Sequence, residues 1–260
     1  MTQRPGGLTR EAFPVRGMPR TANDIAFPRA KPRWVALAVG YRVMRVGQRL
    51  LGTRRLLRLG LDATWILWRL SYELSMGLFG PAFPNTTYGV SEELLGRLIP
   101  PGGSVVDIGC GGGRLCQMAA RFAARVVGID YDGARLAGVI RDNVTPNIEF
   151  RVGDVTTSLP HERFDLALLV GVLEHVDDVD ALLQSIGKVS GTLVVEVPDF
   201  EADCLNLVRR DVGCAWYTDA DHVREYTQPL LQADLERNGW RPVEWTQRGG
   251  MLLAVSVFQS

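Results

Sequence analysis

The chain has 260 residues, of which 46% are apolar and 22% charged, and its formal net charge at pH 7 is zero. This composition is typical of a globular protein and excludes a disordered or collagen-like chain. The neutral total hides an uneven distribution: the first 60 residues hold 13 Lys or Arg against 2 Asp or Glu, and the remaining 200 hold 16 against 27. We therefore expect a basic accessory segment joined to a mildly acidic body.

The first 88 residues divide into two segments by their pattern. Residues 1–33 contain five prolines and many arginines but no apolar periodicity, so we expect a disordered basic arm. Residues 34–88 show helical periodicity and predict a helical N-terminal extension, with breaks at Gly40, Gly47, Gly52 and Gly60. The most apolar stretch, 59–70, contains Asp62 and Arg69 and is too short to cross a bilayer.

The first predicted helix of this extension is basic and amphipathic. Arg42, Arg45 and Arg49 fall on one face, and Val39, Val43, Val46 and Leu50 lie broadly opposite. Three interpretations stay open: a lid over the catalytic body, which we favour, a peripheral helix on an anionic membrane surface, and a contact with nucleic acid. No recognised nucleic-acid module accompanies the charge, so we expect no specific nucleic-acid partner. The oligomeric state is not predicted.

From residue 89 onward, short apolar runs alternate with helical patterns. The runs predict parallel strands at 104–108, 125–130, 148–152, 164–170 and 193–197, and the patterns between them predict helices around 115–122, 133–141 and 178–186. Ser91 and Thr227 are predicted to cap two further helices, through Ile99 and Glu236. Runs at 241–247 and 251–258, joined by two glycines, predict a hairpin. The order indicates an α/β fold: a doubly wound, Rossmann-like seven-stranded sheet with a C-terminal antiparallel hairpin.

A glycine-rich turn joins the first of these strands to the next helix. It reads Asp107-Ile108-Gly109-Cys110-Gly111-Gly112-Gly113, and its glycines let the backbone turn sharply and approach a ligand closely. The dinucleotide pattern GxGxxG would place a glycine where this chain has Arg114. A carboxylate before the first glycine would repel a pyrophosphate but suits a cationic amino-acid group. The turn therefore argues against NAD.

Three further features follow at the ends of the next strands. Asp130 ends the second strand, Asp154 follows the third, and the fourth leads into Gly171-Val172-Leu173-Glu174-His175-Val176. Together with the glycine turn, these residues resemble the class I S-adenosylmethionine-dependent methyltransferases over roughly residues 89–258. The Leu-Glu-His-Val segment is similar to the ubiquinone- and menaquinone-biosynthesis branch of that family.

The resemblance implies S-adenosylmethionine as the cofactor and a methyltransferase domain at 89–260. It implies that Asp130 accepts hydrogen bonds from the ribose hydroxyls, that Asp154 accepts one from the adenine amino group, and that Val155 packs beside the ring. The backbone around Val170 and Gly171 is expected to face the methionine portion. The expected cofactor-binding residues are Asp107, Gly109, Cys110, Gly111, Gly113, Asp130, Tyr131, Asp154, Val155, Val170 and Gly171.

Two of the three histidines are candidates for proton transfer. His222 is flanked by Asp219 and Asp221, which could hold it in a basic tautomer, or else it only anchors its loop. His175 follows the fourth strand, where capping and hydrogen bonding are the favoured alternative to catalysis. Some quinone-pathway O-methyltransferases read E-x-x-E-H here and bind a divalent metal, but Gly171 replaces the first acid. We therefore predict no metal.

These residues predict a small-molecule methyltransferase that acts on a hydroxyl of a metabolite, sugar or lipid-linked intermediate. An N-, C- or RNA-directed methyltransferase and a non-catalytic, cofactor-binding partner subunit are the alternatives. The four cysteines show neither CxxC pairs nor zinc-finger spacing. Because the start of the chain also lacks the apolar run of a signal peptide, we expect a cytoplasmic protein, with membrane-peripheral binding as the variant that the basic helices would allow.

Overall fold

The computed structural model describes residues 35–79 and 89–259, so the predicted arm at 1–33 lies outside the described residues. The chain forms two compact units. One consists of the N-terminal helices together with Arg209–Ala215. The other consists of the described parts of Thr86–Val208 and Trp216–Ser260, and it contains the sheet.

The N-terminal unit is built on two helices, α1 (Val35–Leu51) and α2 (Thr53–Phe79), separated by Gly52 with φ of 76°. The predicted break at Gly52 is confirmed, whereas those at Gly40, Gly47 and Gly60 are wrong because the helices run through them. A glycine inside a helix costs only about 1 kcal/mol, which neighbouring contacts can offset. At Gly47 a Cβ would lie 3.2 Å from Leu56 Cδ1, so this glycine allows α2 to approach α1 closely.

The sheet of the second unit has seven strands, and the fold class predicted from the sequence is confirmed. The strands are β1 (Ser104–Ile108), β2 (Arg125–Asp130), β3 (Ile148–Val152), β4 (Leu166–Val170), β5 (Thr192–Pro198), β6 (Trp240–Arg248) and β7 (Met251–Phe258). Their order is β3-β2-β1-β4-β5-β7-β6. Strands β1 to β5 are parallel, and β7 is antiparallel to both β5 and β6, which makes the predicted hairpin.

Six further α-helices lie within the described residues 89–259. They are α3 (Glu92–Leu98), α4 (Arg114–Ala119), α5 (Gly133–Asp142), α6 (Val179–Val189), α7 (Leu205–Val212) and α8 (Gln228–Arg237). Both predicted N-caps are confirmed, because the side chains of Ser91 and Thr227 accept from the amides of Leu94 and Leu230. Helix α7 and two short 3-10 helices, 173–175 and 200–202, were not predicted, since segments of one or two turns carry too little periodicity.

Some boundaries differ from the prediction. Strand β4 begins at Leu166 rather than at residue 164, because Phe164 pairs with Ser190 only through an isolated bridge. Helix α4 ends at Ala119 instead of continuing to residue 122. Helix α6 begins after Asp178, whose side chain caps it by accepting from the amide of Ala181, and it extends to Val189 rather than 186.

The sheet buries apolar side chains on both faces, as parallel strands require. On one face, β1 contributes Val106 and Ile108 to a core shared with α6 and α8. On the other face, Val105 joins a core shared with α3, α4 and α5. Because helices cover both faces, the carboxyl ends of β1 to β5 remain as the edge at which a site can form.

Candidate functional site

The order of the parallel strands reverses between β1 and β4, with β2 and β3 on one side and β5 on the other. Sheets of this type bind ligands at the carboxyl ends of the strands, next to such a reversal. The predicted cofactor residues lie at this edge: 109–113 follow β1, Asp130 ends β2, Asp154 follows β3 and Gly171 follows β4.

The glycine turn requires glycine at three of its positions. Gly109, Gly111 and Gly113 have φ values of 75°, 53° and 72°, a region that other residues rarely adopt. A Cβ on Gly109 would lie 2.3 Å from Val172 Cγ2, and one on Gly113 would lie 2.9 Å from Phe150 Cζ. The turn is therefore fixed both by its backbone dihedral angles and by close neighbours.

Hydrogen bonds tie this turn to the end of β2. The amide of Cys110 donates to the carbonyl of Ile129 at 2.9 Å. The carboxylate of Asp130 accepts from the amide of Gly111 at 2.7 Å and from that of Asp132 at 2.9 Å. Because a carboxylate can accept about four hydrogen bonds, it still has capacity for the two hydroxyls of a ribose. The remaining acceptor capacity of Asp130 thus fits the ribose of a nucleoside, as the resemblance implies.

Asp107 lies deeper than a surface ligand group, with 1% of its surface exposed. Its Oδ2 accepts from the Cys116 thiol at 3.1 Å, and a Cβ on Gly128 would lie 2.7 Å from that sulfur. Burial raises the pKa of Asp107 to about 6, against the lowering effect of the Cys116 hydrogen bonds. A cation next to this buried carboxyl group would favour its ionised form. Its predicted role toward the amino-acid part of the cofactor stays a prediction.

The acid after β3 is more exposed. Asp154 Oδ1 accepts from the amide and the hydroxyl of Thr156 at 2.8 and 2.7 Å, and these bonds lower the pKa of Asp154. The Gly153 amide donates to the carbonyl of Asp130 at 2.9 Å, which joins the ends of β2 and β3. Tyr131 is 80% exposed and Val155 is half-buried. Their predicted contacts with adenosine stay predictions.

A buried glutamate, Glu196, holds the ends of β4 and β5 and was not predicted from the sequence. Its backbone carbonyl accepts from the Gly171 amide at 2.9 Å, and its Oε2 accepts from the Gly89 amide at 2.5 Å. Its Oε1 has no partner among the described residues. Burial raises the pKa of Glu196 to about 7, against the lowering effect of the Gly89 and Val90 amides. A lone acid inside an apolar strand was the signal that could have identified it.

Two histidines from distant segments meet beyond β4. The rings of His175 and His222 pack edge to face, with centroids 4.7 Å apart. His222 Nδ1 lies 3.1 Å from Glu225 Oε1 and 3.0 Å from Thr218 Oγ1. Glu225 thus takes the position expected for Asp219 or Asp221.

The prediction that Asp219 and Asp221 hold His222 in a basic tautomer stays a prediction, and Glu225 is a hydrogen-bond partner of Nδ1 that the spacing did not indicate. Asp221 lies instead against His175, whose Nδ1 is 3.2 Å from the Asp221 carbonyl and 3.5 Å from its carboxylate. Glu225, three residues after His222, reaches its Nδ1. Spacing along the sequence could not reveal which acid makes this contact.

Glu174 connects the two histidine segments. Its backbone carbonyl accepts from the amides of Val223 and Arg224 at 3.0 and 3.2 Å. Its side chain is buried, and Oε2 has no partner among the described residues. Desolvation raises the pKa of Glu174. The expected hydrogen-bonding role of this pair is present at Glu174, through its backbone.

The electrostatic environment of His222 favours its protonated form. Burial lowers its pKa, but the hydrogen bond to Glu225 and the charges of Glu225, Glu174 and Asp219 act in the opposite direction, and the net pKa is raised. A histidine with a raised pKa is a stronger base once it is deprotonated. With Nδ1 held by Glu225, Nε2 is the atom left to take a proton, although this tautomer is an assignment from the hydrogen bonds.

The same cluster has the composition of a metal site. One ligand atom each from Glu174, His175 and His222 lies within 4.8 Å of the others. The absence of a metal was predicted because Gly171 replaces the first acid of E-x-x-E-H, and it stays a prediction. His222 comes from a distant segment, so a spacing argument could not include it. The arrangement can serve either a proton transfer or a divalent cation.

Comparison with known proteins places this geometry in a family. A family model described as "Methyltransferase domain" matches residues 89–244. Two relatives from Rhodopseudomonas palustris are named "Ubiquinone biosynthesis O-methyltransferase": the one from strain HaA2 is 31% identical over 141 residues (52% of this chain, 55% of the relative), and the one from strain BisB18 is 37% identical over 125 residues (45% and 49%). The chain thus spans about half the length of the curated relatives it matches.

A solved structure shows the same fold. The S-adenosylmethionine-dependent methyltransferase from Mesorhizobium loti superposes with a TM-score of 0.53 at 21% identity, covering 65% of this chain and 98% of that one. At this identity the likeness concerns the fold alone. The family model, however, covers more than half of the chain. The chain therefore belongs to the family of methyltransferase domains, and S-adenosylmethionine is the cofactor expected for it.

Proposed function

We propose that the chain transfers the methyl group of S-adenosylmethionine to a hydroxyl group of a small molecule, with His222 as the general base. The contact of His222 Nδ1 with the buried carboxylate of Glu225, at 3.1 Å, is the observation that carries this proposal. The names of the curated relatives support an O-directed reaction. Because they match over about half their length, the acceptor is proposed only as a metabolite, sugar or lipid-linked intermediate.

We assign the cofactor to the edge formed by the glycine turn and the ends of β2 to β4. Asp130 would accept from the ribose hydroxyls, Asp154 from the adenine amino group, and Asp107 would face the cationic amino-acid group. The backbone of the turn and of Val170–Gly171 would line the remainder. Two observations support this assignment: the three glycines of positive φ in the turn, and the carboxylate of Asp130, which accepts two backbone hydrogen bonds next to it. The proposed catalytic domain is 89–260, with the 34–88 extension outside it.

The reaction needs few protein groups. When bound, S-adenosylmethionine supplies an electrophilic methyl group, and the C–S bond breaks with its electron pair going to sulfur. The acceptor oxygen forms the new C–O bond. His222 Nε2 takes the hydroxyl proton while Glu225 stabilises the resulting imidazolium, as in other histidine–carboxylate pairs. His175, in edge contact with His222, would restrict the orientation of that ring.

The replacement His222→Gln tests the proposal. We expect the rate of methyl transfer to fall by about 10²- to 10⁴-fold, the usual contribution of a general base. The dissociation constant of S-adenosylhomocysteine, measured by calorimetry, should change less than about twofold, because the hydrogen bonds of His222 go to Thr218 and Glu225, which are not among the proposed cofactor residues. His161→Gln, at an exposed histidine, is the matched control and should retain the wild-type rate.

Two outcomes would reject the assignment of His222. A parallel loss of rate and of cofactor affinity would mean that the histidine only maintains the site. In a screen of acceptor classes, methyl transfer to an amine or carbon acceptor at a rate that His222→Gln leaves unchanged would replace O-methylation by another group transfer. The wild type is also assayed after dialysis against EDTA, with and without added Mg²⁺ or Zn²⁺. This assay distinguishes a role of His222 as general base from a role as ligand of a metal held by Glu174, His175 and His222.

A further inference from the structure

The N-terminal helices expose large apolar side chains in an ordered pattern. One face of α1 carries a stripe of apolar side chains that are between 50% and 78% exposed, which we call the valine stripe. Its members are Val35, Val39, Val43, Val46 and Leu50. At about 100° per residue these five side chains share an arc of about 80° on the helix. Isolated exposed apolar residues are ordinary, but a contiguous stripe of this length marks an interaction surface.

Helix α2 has a second exposed apolar face. Its members are Leu59, Ile66, Leu67, Leu70 and Leu74, between 52% and 74% exposed. They lie within an arc of about 100°. Neither helix, among those that the structure describes, is long and apolar enough to cross a membrane. The two faces are thus suited to lying on an apolar surface, not to passing through it.

Arginines accompany the valine stripe. Between Val35 and Leu61 the sequence contains six arginines and no acidic residue. In α1, Arg42, Arg45 and Arg49 centre about 90° from the stripe, so the expectation that they lie opposite is corrected: they flank it. An arginine in this position can bury its methylenes beside the stripe while its guanidinium contacts an anion.

We propose that α1 and α2 form a docking surface for anionic lipid bilayers. The occupant must offer an apolar layer next to a layer of negative charge, and a bilayer with acidic headgroups has both. Nucleic acid would pair the arginines but leave the valine stripe in water. A second copy of this chain would cover the stripe but bring one set of arginines against another. The proposal concerns this unit and does not depend on which acceptor the catalytic domain methylates.

Co-sedimentation of the full chain with vesicles tests the proposal. We expect binding to phosphatidylcholine vesicles that contain about 30% phosphatidylglycerol, much weaker binding to pure phosphatidylcholine, and a loss of binding in about 0.5 M NaCl. The triple variant Arg42→Gln, Arg45→Gln, Arg49→Gln should reduce partitioning on anionic vesicles by about 100-fold. The variant Val39→Ser, Val43→Ser, Val46→Ser should reduce it by about tenfold or more, because the stripe no longer enters the interface.

Matched controls lie on the other unit. Arg141→Gln, Arg241→Gln, Arg248→Gln changes three exposed arginines there, and Val144→Ser, Val243→Ser changes two exposed valines. Both control variants should bind vesicles as the wild type does. Circular dichroism and the rate of methyl transfer to a soluble acceptor should be unchanged in the α1 variants, which separates lost docking from misfolding.

Several results would overturn the proposal. Equal partitioning of the wild type and both α1 variants would exclude α1 as the docking element. A second such result is a wild type that fails to bind anionic vesicles and forms a dimer that the valine variant converts to a monomer. That result would make the surface a contact between copies of the chain. Tight, salt-sensitive binding to RNA that exceeds vesicle binding and is lost in the arginine variant would assign the charge to nucleic acid. If the wild type does not bind vesicles and the α1 variants have a raised KM for a soluble acceptor, the two helices would be a lid.

Discussion

The glycine turn and the histidine cluster occupy neighbouring strand ends but are built on different principles. The turn consists of consecutive residues, 109–113, whose backbone dihedral angles and close neighbours fix its shape. The cluster joins side chains from two distant segments, one around His175 and the other around His222 and Glu225. Backbone geometry thus defines the proposed cofactor side, whereas charge and burial define the proposed acceptor side. Substitutions on the two sides should therefore fail in different ways.

Apart from replacement of His222, the largest effect is expected at Gly109. In Gly109→Ala the new Cβ meets Val172 Cγ2 at 2.3 Å and the residue must hold a φ of 75°. Overpacking and left-handed strain each cost about 1 to 3 kcal/mol, so affinity for S-adenosylhomocysteine should fall by about 100-fold or more. Calorimetry and thermal melting would measure this loss.

The control for this substitution is its neighbour. Gly112→Ala has no atom within 4 Å of the new Cβ and no positive φ, so affinity should stay close to that of the wild type. Adding Val172→Ala to Gly109→Ala should restore part of the affinity by removing the clash. Equal affinities in Gly109→Ala and Gly112→Ala would contradict the idea that backbone shape governs the cofactor side.

A smaller, pH-dependent effect is expected at Glu225. Its charge and hydrogen bond raise the pKa of His222 against the lowering effect of burial. In Glu225→Gln that pKa should fall, so the acid limb of the pH–rate profile should move to lower pH. The maximal rate should drop by about 10- to 100-fold, because the imidazolium loses its partner.

Cofactor affinity should stay within about twofold in this variant, in contrast to Gly109→Ala. Glu236→Gln, at an exposed acid on α8, is the control and should leave the profile in place. A pH–rate profile of Glu225→Gln with an unmoved acid limb would show that His222 is not the titrating base.

The two sides differed in how far the sequence revealed them. The turn and the strand-end acids were predicted because a strand, its loop and the next helix are contiguous, and their spacing is visible in one segment. The partner of His222 was assigned to the flanking aspartates, whereas the structure pairs it with Glu225. Which carboxylate reaches Nδ1 depends on a turn that no periodicity encodes. The continuous helices at Gly40, Gly47 and Gly60 were missed because one glycine costs a helix only about 1 kcal/mol, which does not end a long helix.

The smallest effect is expected at Glu196, on stability. Burial raises its pKa to about 7 from the usual 4.5, so the folded protein holds this proton more tightly than the unfolded chain does. Stability should therefore be highest below the unfolded pKa and should decline as the pH rises through this window. In Glu196→Gln that decline is removed, and the free energy of unfolding relative to wild type should rise by about 1 to 3 kcal/mol between pH 5 and pH 8.

Urea unfolding at several pH values measures this difference. Asp107 also titrates with a raised pKa, but it is present in both proteins and cancels from the comparison. Glu93→Gln, at an exposed acid, should show no such trend. A flat difference between Glu196→Gln and the wild type would mean that the pKa of Glu196 is the same in the folded and unfolded states, which would contradict the raised value.

The backbone attachment of the His222 segment has an evolutionary consequence. The carbonyl of Glu174 accepts from the amides of Val223 and Arg224, so the path of this loop is set by main-chain atoms that every amino acid except proline supplies. Side chains such as Asp219 and Asp221 can then change without displacing the loop. Selection, or a mutational library at these positions, could alter the preferred acceptor while the frame that presents the base is inherited intact.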